Sequence, residues 1–308
     1  MRMQYKAELL LLFITLIWGG TFSIVKIALN DVSPLLFLSV RFGVSTILYV
    51  VFFRVNLKDF DYLVWRDGLI VAFFLFAGFA LQTVGLKYTT ASKSGFITGM
   101  LVIFTPIAQL LIEKKPPKVG NLIGIFLVML GLLFLTSGEG SIENFIYSLG
   151  GNFTIGDFLT LFCAIMFALY VVFIDIYSKR HRTGKLVFIQ LAFTSVFSFL
   201  VSPFFEDVKL NLNLGFFLAI AYTSIFATIL ATHIQTEYQK YTTPTRASVI
   251  FTMEPVFAAF IARIFLNEKF SPFALLGSFL MMSGLLVSEL SDLAFKNRES
   301  LRNFLSKK

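Results

Sequence analysis

Ten apolar runs dominate this chain, each close to the twenty or so residues that an α-helix needs to cross the ~30 Å hydrocarbon core of a bilayer. They fall near 7–28, 34–53, 66–87, 94–112, 119–137, 155–176, 186–202, 214–237, 247–266 and 271–290. No soluble core has room for ten such runs in 308 residues, so the solvent for most of the chain is lipid. Composition agrees where it matters. Charged residues make up 14% and there are 39 phenylalanines, against about 25% charged in a soluble domain. A soluble enzyme and a disordered regulator are both excluded. The runs lack the alternation of apolar and polar residues that a β-barrel needs, so the expected fold is all-α, a polytopic integral membrane protein with ten transmembrane helices. The first run is longer than the core of a cleaved signal peptide, and no small-residue cleavage site follows it.

With ten spans both termini lie on one face. That face collects Arg2, Lys6, Arg54, Lys58, Arg66, the cluster Lys114, Lys115 and Lys118, the group from Lys179 to Lys185, Lys240 and the five bases of the tail. The total is 18 of the 26 basic residues. The opposite face has six, and its loop 138–154 carries Glu139 and Glu143 with no base. The skew predicts cytoplasmic termini in a plasma (cell inner) membrane. The +8 net charge therefore reports orientation, not an acidic partner, and no nucleic acid is expected.

The chain also repeats itself. QTVGLKYTT (82–90) and QTEYQKYTT (235–243) agree at six of nine positions. The same ungapped register pairs Ile97 with Ile250, Met100 with Met253 and Phe104 with Phe257. It then pairs Leu122, Gly124, Phe126, Leu127, Gly131, Leu132 and Leu133 with Leu275, Gly277, Phe279, Leu280, Gly284, Leu285 and Leu286. Each copy holds five spans, an odd number, so the second enters the bilayer from the other side. Inverted repeats are the architecture of secondary transporters, whose two similar halves exchange outward-open and inward-open shapes.

The residues that carry a family resemblance lie in both copies. Ile17-Trp18-Gly19-Gly20-Thr21-Phe22 with Lys26 and Pro34 resembles the opening of the EamA module of the drug/metabolite transporter superfamily. Tyr241-Thr242-Thr243-Pro244-Thr245-Arg246-Ala247 with Glu254-Pro255-Val256-Phe257-Ala258 and Asn267-Glu268 resembles its later part. The resemblance implies a ten-helix carrier with a central cavity, commonly an exporter of amino acids or related metabolites. It divides the chain into a first five-helix repeat (7–137), an extracytoplasmic linker (138–154), a second repeat (155–290) and a basic cytoplasmic tail (291–308). One departure is that Phe167 stands where the second copy should match Trp18, taking Glu8 and Asp157 as counterparts.

Ionisable and amide groups inside spans are costly and therefore candidates for function. Glu254 lies about 10 Å into its span by helical rise, with His233 at a comparable depth. A Glu254–His233 pair is one way to couple transport to protons, since each side chain can titrate near neutrality when buried beside a partner. The plainer alternatives are that Glu254 anchors its helix beside Pro255 and that His233 is an interfacial polar group. Arg41, also about 10 Å into its span, can clamp a carboxylate through two N–H groups, or snorkel to headgroups, or pack between helices. Gln82 and Gln235 are repeat-related and should face the interior, touching cargo or bridging helices. Trp18, Thr21 and Tyr170 complete the expected substrate-binding set, with Phe167 and Tyr222 as further aromatic candidates. Lys26, Asp175 and Arg263 sit near span ends and read as interfacial. Pro106 and Pro255 should interrupt their helices. The Gly124/Gly131 and Gly277/Gly284 pairs suggest matching packing faces.

No phosphate-binding Gly-rich loop, metal-binding His-Glu pattern or nucleophile elbow is present, and Cys163 is the single cysteine. No cofactor, no metal and no catalytic residue are therefore expected. The partners are a small-molecule metabolite and the lipid bilayer, with no obligate protein partner. The expected function is secondary transport of an amino acid or related compound, by alternating access and in the export direction. The rival is an integral-membrane enzyme acting on a lipid-linked substrate, for which Glu254, His233 and Arg246 are the candidate groups.

Overall fold

The computed structural model describes residues 2–136, 143, 153–266 and 272–305. Most of the 138–154 linker, Asn267-Glu268, the side chain of Arg263 and the side chains of the basic tail lie outside the described residues. The described residues form a helical fold. Among the described residues the single extended pairing is an isolated bridge between Val32 and Leu210.

The chain runs α1 (Arg2–Gly19), α2 (Thr21–Ala28), α3 (Pro34–Phe53), α4 (Tyr62–Tyr88), α5 (Ala91–Gly99), α6 (Leu101–Glu113) and α7 (Val119–Thr136). It continues with α8 (Ile155–Ser178), α9 (Thr183–Phe205), α10 (Leu214–Ser224), a π-helical turn (Ile225–Leu230), α11 (Ala231–Tyr238), α12 (Pro244–Phe251), α13 (Glu254–Leu266) and α14 (Pro272–Leu305). Seven helical runs have the length and apolarity to cross a bilayer, and two shorter apolar ones occupy 119–135 and 272–288. Leu9, Ile47, Phe52 and Leu111 are about two-thirds or more exposed on outer faces. In water that surface would be untenable, and in lipid it is the expected coat.

Local chemistry sets the ends. Asp61, Thr90, Thr154, Asn213 and Thr243 each accept an amide hydrogen from the first turn of the helix they precede. The α3 and α6 helices stop at Arg54 and Lys114 in the left-handed conformation, among the bases that fix the topology. Several predicted spans are broken midway. The first divides at Gly20, the fourth at Met100, and the ninth at Thr252-Met253, just ahead of Pro255. Pro255 lacks the amide hydrogen that would bond the Phe251 carbonyl four residues back, so the ladder cannot continue across the last break. Pro106, by contrast, is accommodated inside α6. The last helix runs on unbroken into the segment read as a separate tail.

Packing crosses between the two halves of the chain. The α4 helix lies along α8, α3 along α9, and α7 along α14. In the last pair the backbones touch. A Cβ on Gly131 would lie 2.6 Å from the Gly277 carbonyl, and one on Gly124 would lie 2.6 Å from that of Gly284. Only glycine allows so close an approach.

Two ion-pair clasps add further links between the halves, α1 to α12 and α5 to α8. Near the start of α1, the buried carboxylate of Glu8 takes hydrogen bonds from Arg246 Nη2 at 2.8 Å and Thr242 Oγ1 at 3.0 Å. At the start of α8, Asp157 takes them from Lys93 Nζ at 2.9 Å and Thr89 Oγ1 at 2.5 Å. Thr89 and Thr242, and Lys93 and Arg246, are partners in the 153-residue sequence register, while Glu8 and Asp157 are the matched carboxylates. The same contact is made twice, once by each pair of helices.

Candidate functional site

A cavity opens where α1, α2, α3, α4, α5, α6, α8, α11, α12 and α13 converge. Its wall contains Trp18, Thr21, Arg41, Gln82, Tyr170, Gln235 and Glu254. All seven residues expected from the sequence to meet substrate are thus in one place. His233 is elsewhere: its Nδ1 is 2.8 Å from the Tyr49 hydroxyl and its ring stacks on Phe53 at 4.6 Å. The Glu254–His233 pair is not formed.

The helix breaks explain the polar wall. Where α1 ends, the Ile17 carbonyl accepts the Tyr222 hydroxyl at 2.7 Å, and the Trp18 carbonyl accepts Thr21 Oγ1 at 2.8 Å. Trp18 projects its indole N–H onto the Ala227 carbonyl at 3.1 Å and sets its ring edge against Phe251. Across the cavity Gln82 donates to Thr98 Oγ1 at 3.3 Å. Towards the α11 end, Gln235 donates to Gln239 at 3.0 Å, and Gln239 donates to the Val171 carbonyl at 2.6 Å. Tyr170 donates to Gln190 at 2.9 Å.

Two ionisable groups face this chamber. Arg41 is 3% exposed and does not snorkel. Its Nε donates to Thr228 Oγ1 at 2.7 Å, its Nη2 lies 3.5 Å from the Ala227 carbonyl, and the Phe79 ring sits 4.9 Å from the guanidinium. No carboxylate pairs with it among the described residues. Glu254 is the first residue of α13, where the amide ends of a helix favour an anion. No cation pairs with its carboxylate among the described residues. The backbone of α1 reaches α13 beside it: a Cβ on Gly19 would lie 2.9 Å from the Ala258 nitrogen and 3.1 Å from the Glu254 carbonyl oxygen.

The residues near span ends behave as follows. Lys26 donates to the Thr89 carbonyl at 2.8 Å and to that of Leu86, closing the end of α4. Asp175, read as interfacial, is 1% exposed and paired with Lys179 at 2.6 Å.

The wall also includes Phe22, Val25, Leu75, Phe79, Thr83, Thr98, Leu101, Phe167, Val171 and Phe251, most of which sequence reasoning missed. The register held a signal for several. Gln82 with Gln235, Thr98 with Phe251, and Leu101 with Glu254 are 153 apart, and all six line the cavity. Trp18 with Phe167, Thr21 with Tyr170, and Phe22 with Val171 are 149 apart, the spacing of Glu8 and Asp157, and they line it too. The frame is duplicated, while the charges of Arg41 and Glu254 occur in one copy each.

A helical bundle of this apolarity, with amide, hydroxyl and ionisable side chains gathered in a chamber among its spans, has the architecture of a membrane transporter. The family model described as the EamA-like transporter family matches residues 5–137 and again 154–290. The chain belongs to that family. It is similar to an uncharacterized transporter of Archaeoglobus fulgidus, 34% identical over 286 residues that cover 92% of this chain and 86% of the relative. It is also similar to a probable amino-acid metabolite efflux pump of Escherichia coli, 27% identical over 304 residues, 93% of this chain and 95% of the other. A crystal structure of a chain 18% identical shares the fold, with a TM-score of 0.73 over 92% of this chain and 98% of that one.

Proposed function

We propose that the chain is a secondary carrier of the plasma membrane that exports a small zwitterionic metabolite, an amino acid before others, by alternating access. One observation carries the reading. An arginine and a glutamate, neither with an oppositely charged partner among the described residues, line the same chamber. An arginine and a carboxyl group without countercharges inside a membrane are costly to ionise unless a ligand meets both. A molecule with a carboxylate for Arg41 and an ammonium for Glu254 does so, and Trp18, Phe79 and Phe167 receive its apolar part. The efflux activity in the name of the Escherichia coli relative supports the export direction.

The two halves, 7–137 and 155–290, act as inverted repeats with both termini in the cytoplasm. The duplicated clasps and the paired wall residues support this arrangement, and the excess of bases on one face supports the orientation. Glu254 alone carries proton coupling in this scheme. Its carboxylate holds either a proton or the ammonium of the cargo, so one displaces the other. No observation favours the lipid-linked enzyme.

The test is flux. Purified protein in proteoliposomes is loaded with each of the twenty labelled L-amino acids, and release of unmodified compound is followed in the parent, Arg41→Gln and Glu254→Gln. The expected result is release of at least one amino acid, reduced ~10-fold or more in both variants, as loss of a charge-assisted contact demands. Absence of amino-acid flux in the parent overturns the substrate class. A chemically altered product without flux overturns the carrier.

A further inference from the structure

The helix opposite Arg41 is wound differently from its neighbours. Between α10 and α11, residues Ile225–Leu230 form a π-helix. The amide of Ala231 donates to the Phe226 carbonyl, five residues back, rather than to that of Ala227, its α-helical acceptor four residues back. The Ala227 carbonyl is thereby released from the regular ladder. A buried carbonyl needs another donor, and two arrive from other helices: Trp18 Nε1 at 3.1 Å and Arg41 Nη2 at 3.5 Å, the second at the long limit. The next residue, Thr228, is 1% exposed and accepts from Arg41 Nε at 2.7 Å. One turn of π-helix thus holds both Trp18 and Arg41, from α1 and α3. Phe42 and Phe79 flank the guanidinium at 5.4 and 4.9 Å. Of its five N–H groups these contacts occupy two, and the remainder belong to a side chain that lines the cavity.

We propose that this π-turn aims the carboxylate-binding group of the site. Thr228 is a positioning residue that acts through Arg41 and sets the preference for a solute bearing a carboxylate. The inference rests on the zwitterion reading above and goes further, because it assigns specificity to a residue that is itself outside the cavity wall. The physical reason is rigidity. A long arginine side chain has many rotamers, and a guanidinium clamps a carboxylate through two N–H groups only when its plane is fixed. The Thr228 hydroxyl and the freed carbonyl fix one edge of that plane and leave the other for cargo. π-turns recur at functional sites because their extra residue breaks the ladder in this way.

The test uses Trp18 as reporter. The chain has two tryptophans, so Trp65→Phe leaves Trp18 as the single one. This parent, in lipid nanodiscs, is titrated with the twenty L-amino acids and with their amides, in which a neutral carboxamide replaces the carboxylate. The parent is expected to bind at least one amino acid ~10-fold or more tightly than its amide. Thr228→Val, which keeps the shape and loses the hydroxyl, brings that ratio below ~3-fold, and Thr228→Ser retains the parent's ratio. Thr228→Ala replaces the valine variant if the latter does not accumulate as folded protein. An unchanged ratio in the hydroxyl-free variant overturns the inference and leaves the zwitterion reading standing, as does a ratio lost equally in Thr228→Ser. A parent that responds to no amino acid overturns the zwitterion reading and this inference with it.

Discussion

Replacing Arg246 with methionine removes one side of the Glu8 clasp without changing the bulk of the site much. The side chains of Glu8 and Arg246 are each 6% exposed, and their oxygen and nitrogen lie 2.8 Å apart. Breaking a pair buried to this degree strands a charge and costs about 3 kcal/mol, whereas removing both partners is far milder. At a specific unfolding entropy of about 2.1 cal/mol/K per residue, 1 kcal/mol shifts the midpoint by roughly 1.5 °C in a chain of 308 residues. Arg246→Met should therefore lower Tm by about 5 °C, and Glu8→Gln by a similar amount. The double variant should lose less than the sum, with a coupling of about 2 kcal/mol. Cys163 supplies the assay. It is the single cysteine, it is fully buried, and a maleimide dye that fluoresces on reaction reads its exposure as the detergent-solubilised protein unfolds. The clasp at the other end, Lys93 with Asp157, should behave alike but more weakly on the lysine side, because Lys93 is more exposed. Strictly additive losses, with coupling under ~0.5 kcal/mol, would refute the claim that these pairs bind the two halves of the chain together.

Other outcomes follow from the same geometry. Glu254→Gln should flatten the dependence of amino-acid flux on pH across the neutral range, read in proteoliposomes; a profile that keeps the parent's shape removes the proton role from this residue. His233→Gln should leave flux within about twofold of the parent, because His233 stands with Tyr49 and Phe53 and not in the cavity wall. Gly131→Val should lower the melting midpoint measured through Cys163 by an amount equivalent to 1–3 kcal/mol or more, since its Cβ would stand 2.6 Å from the Gly277 carbonyl.

The spans were legible because run length against bilayer thickness is a coarse and stringent filter. Pro34–Phe53 matches its run at both ends, and most others begin or end within three or four residues of theirs. The interruptions at Gly20 and Met100 and the π-turn at Ile225–Leu230 were not legible. Hydropathy is blind to which amide meets which carbonyl, and IFATIL reads as an ordinary apolar stretch. Pro255 alone announced its break. The polar wall was readable because an amide or charge in lipid has nowhere to point but inward. His233 misled for the same reason, since Tyr49 satisfies it away from the chamber. Leu75, Phe79 and Phe251 could not be told from lipid-facing neighbours in a chain with 39 phenylalanines.

Everything proposed depends on one chamber being reached in turn from either face of the membrane. Thr21 lines that chamber, so a chain carrying Thr21→Cys in place of the native thiol, with Cys163→Ala, can be exposed to a membrane-impermeant thiol reagent in right-side-out and in inverted vesicles. Labelling from both faces, slowed on each by the transported amino acid, is the result this account predicts. Reaction from a single face, indifferent to amino acid, would contradict it.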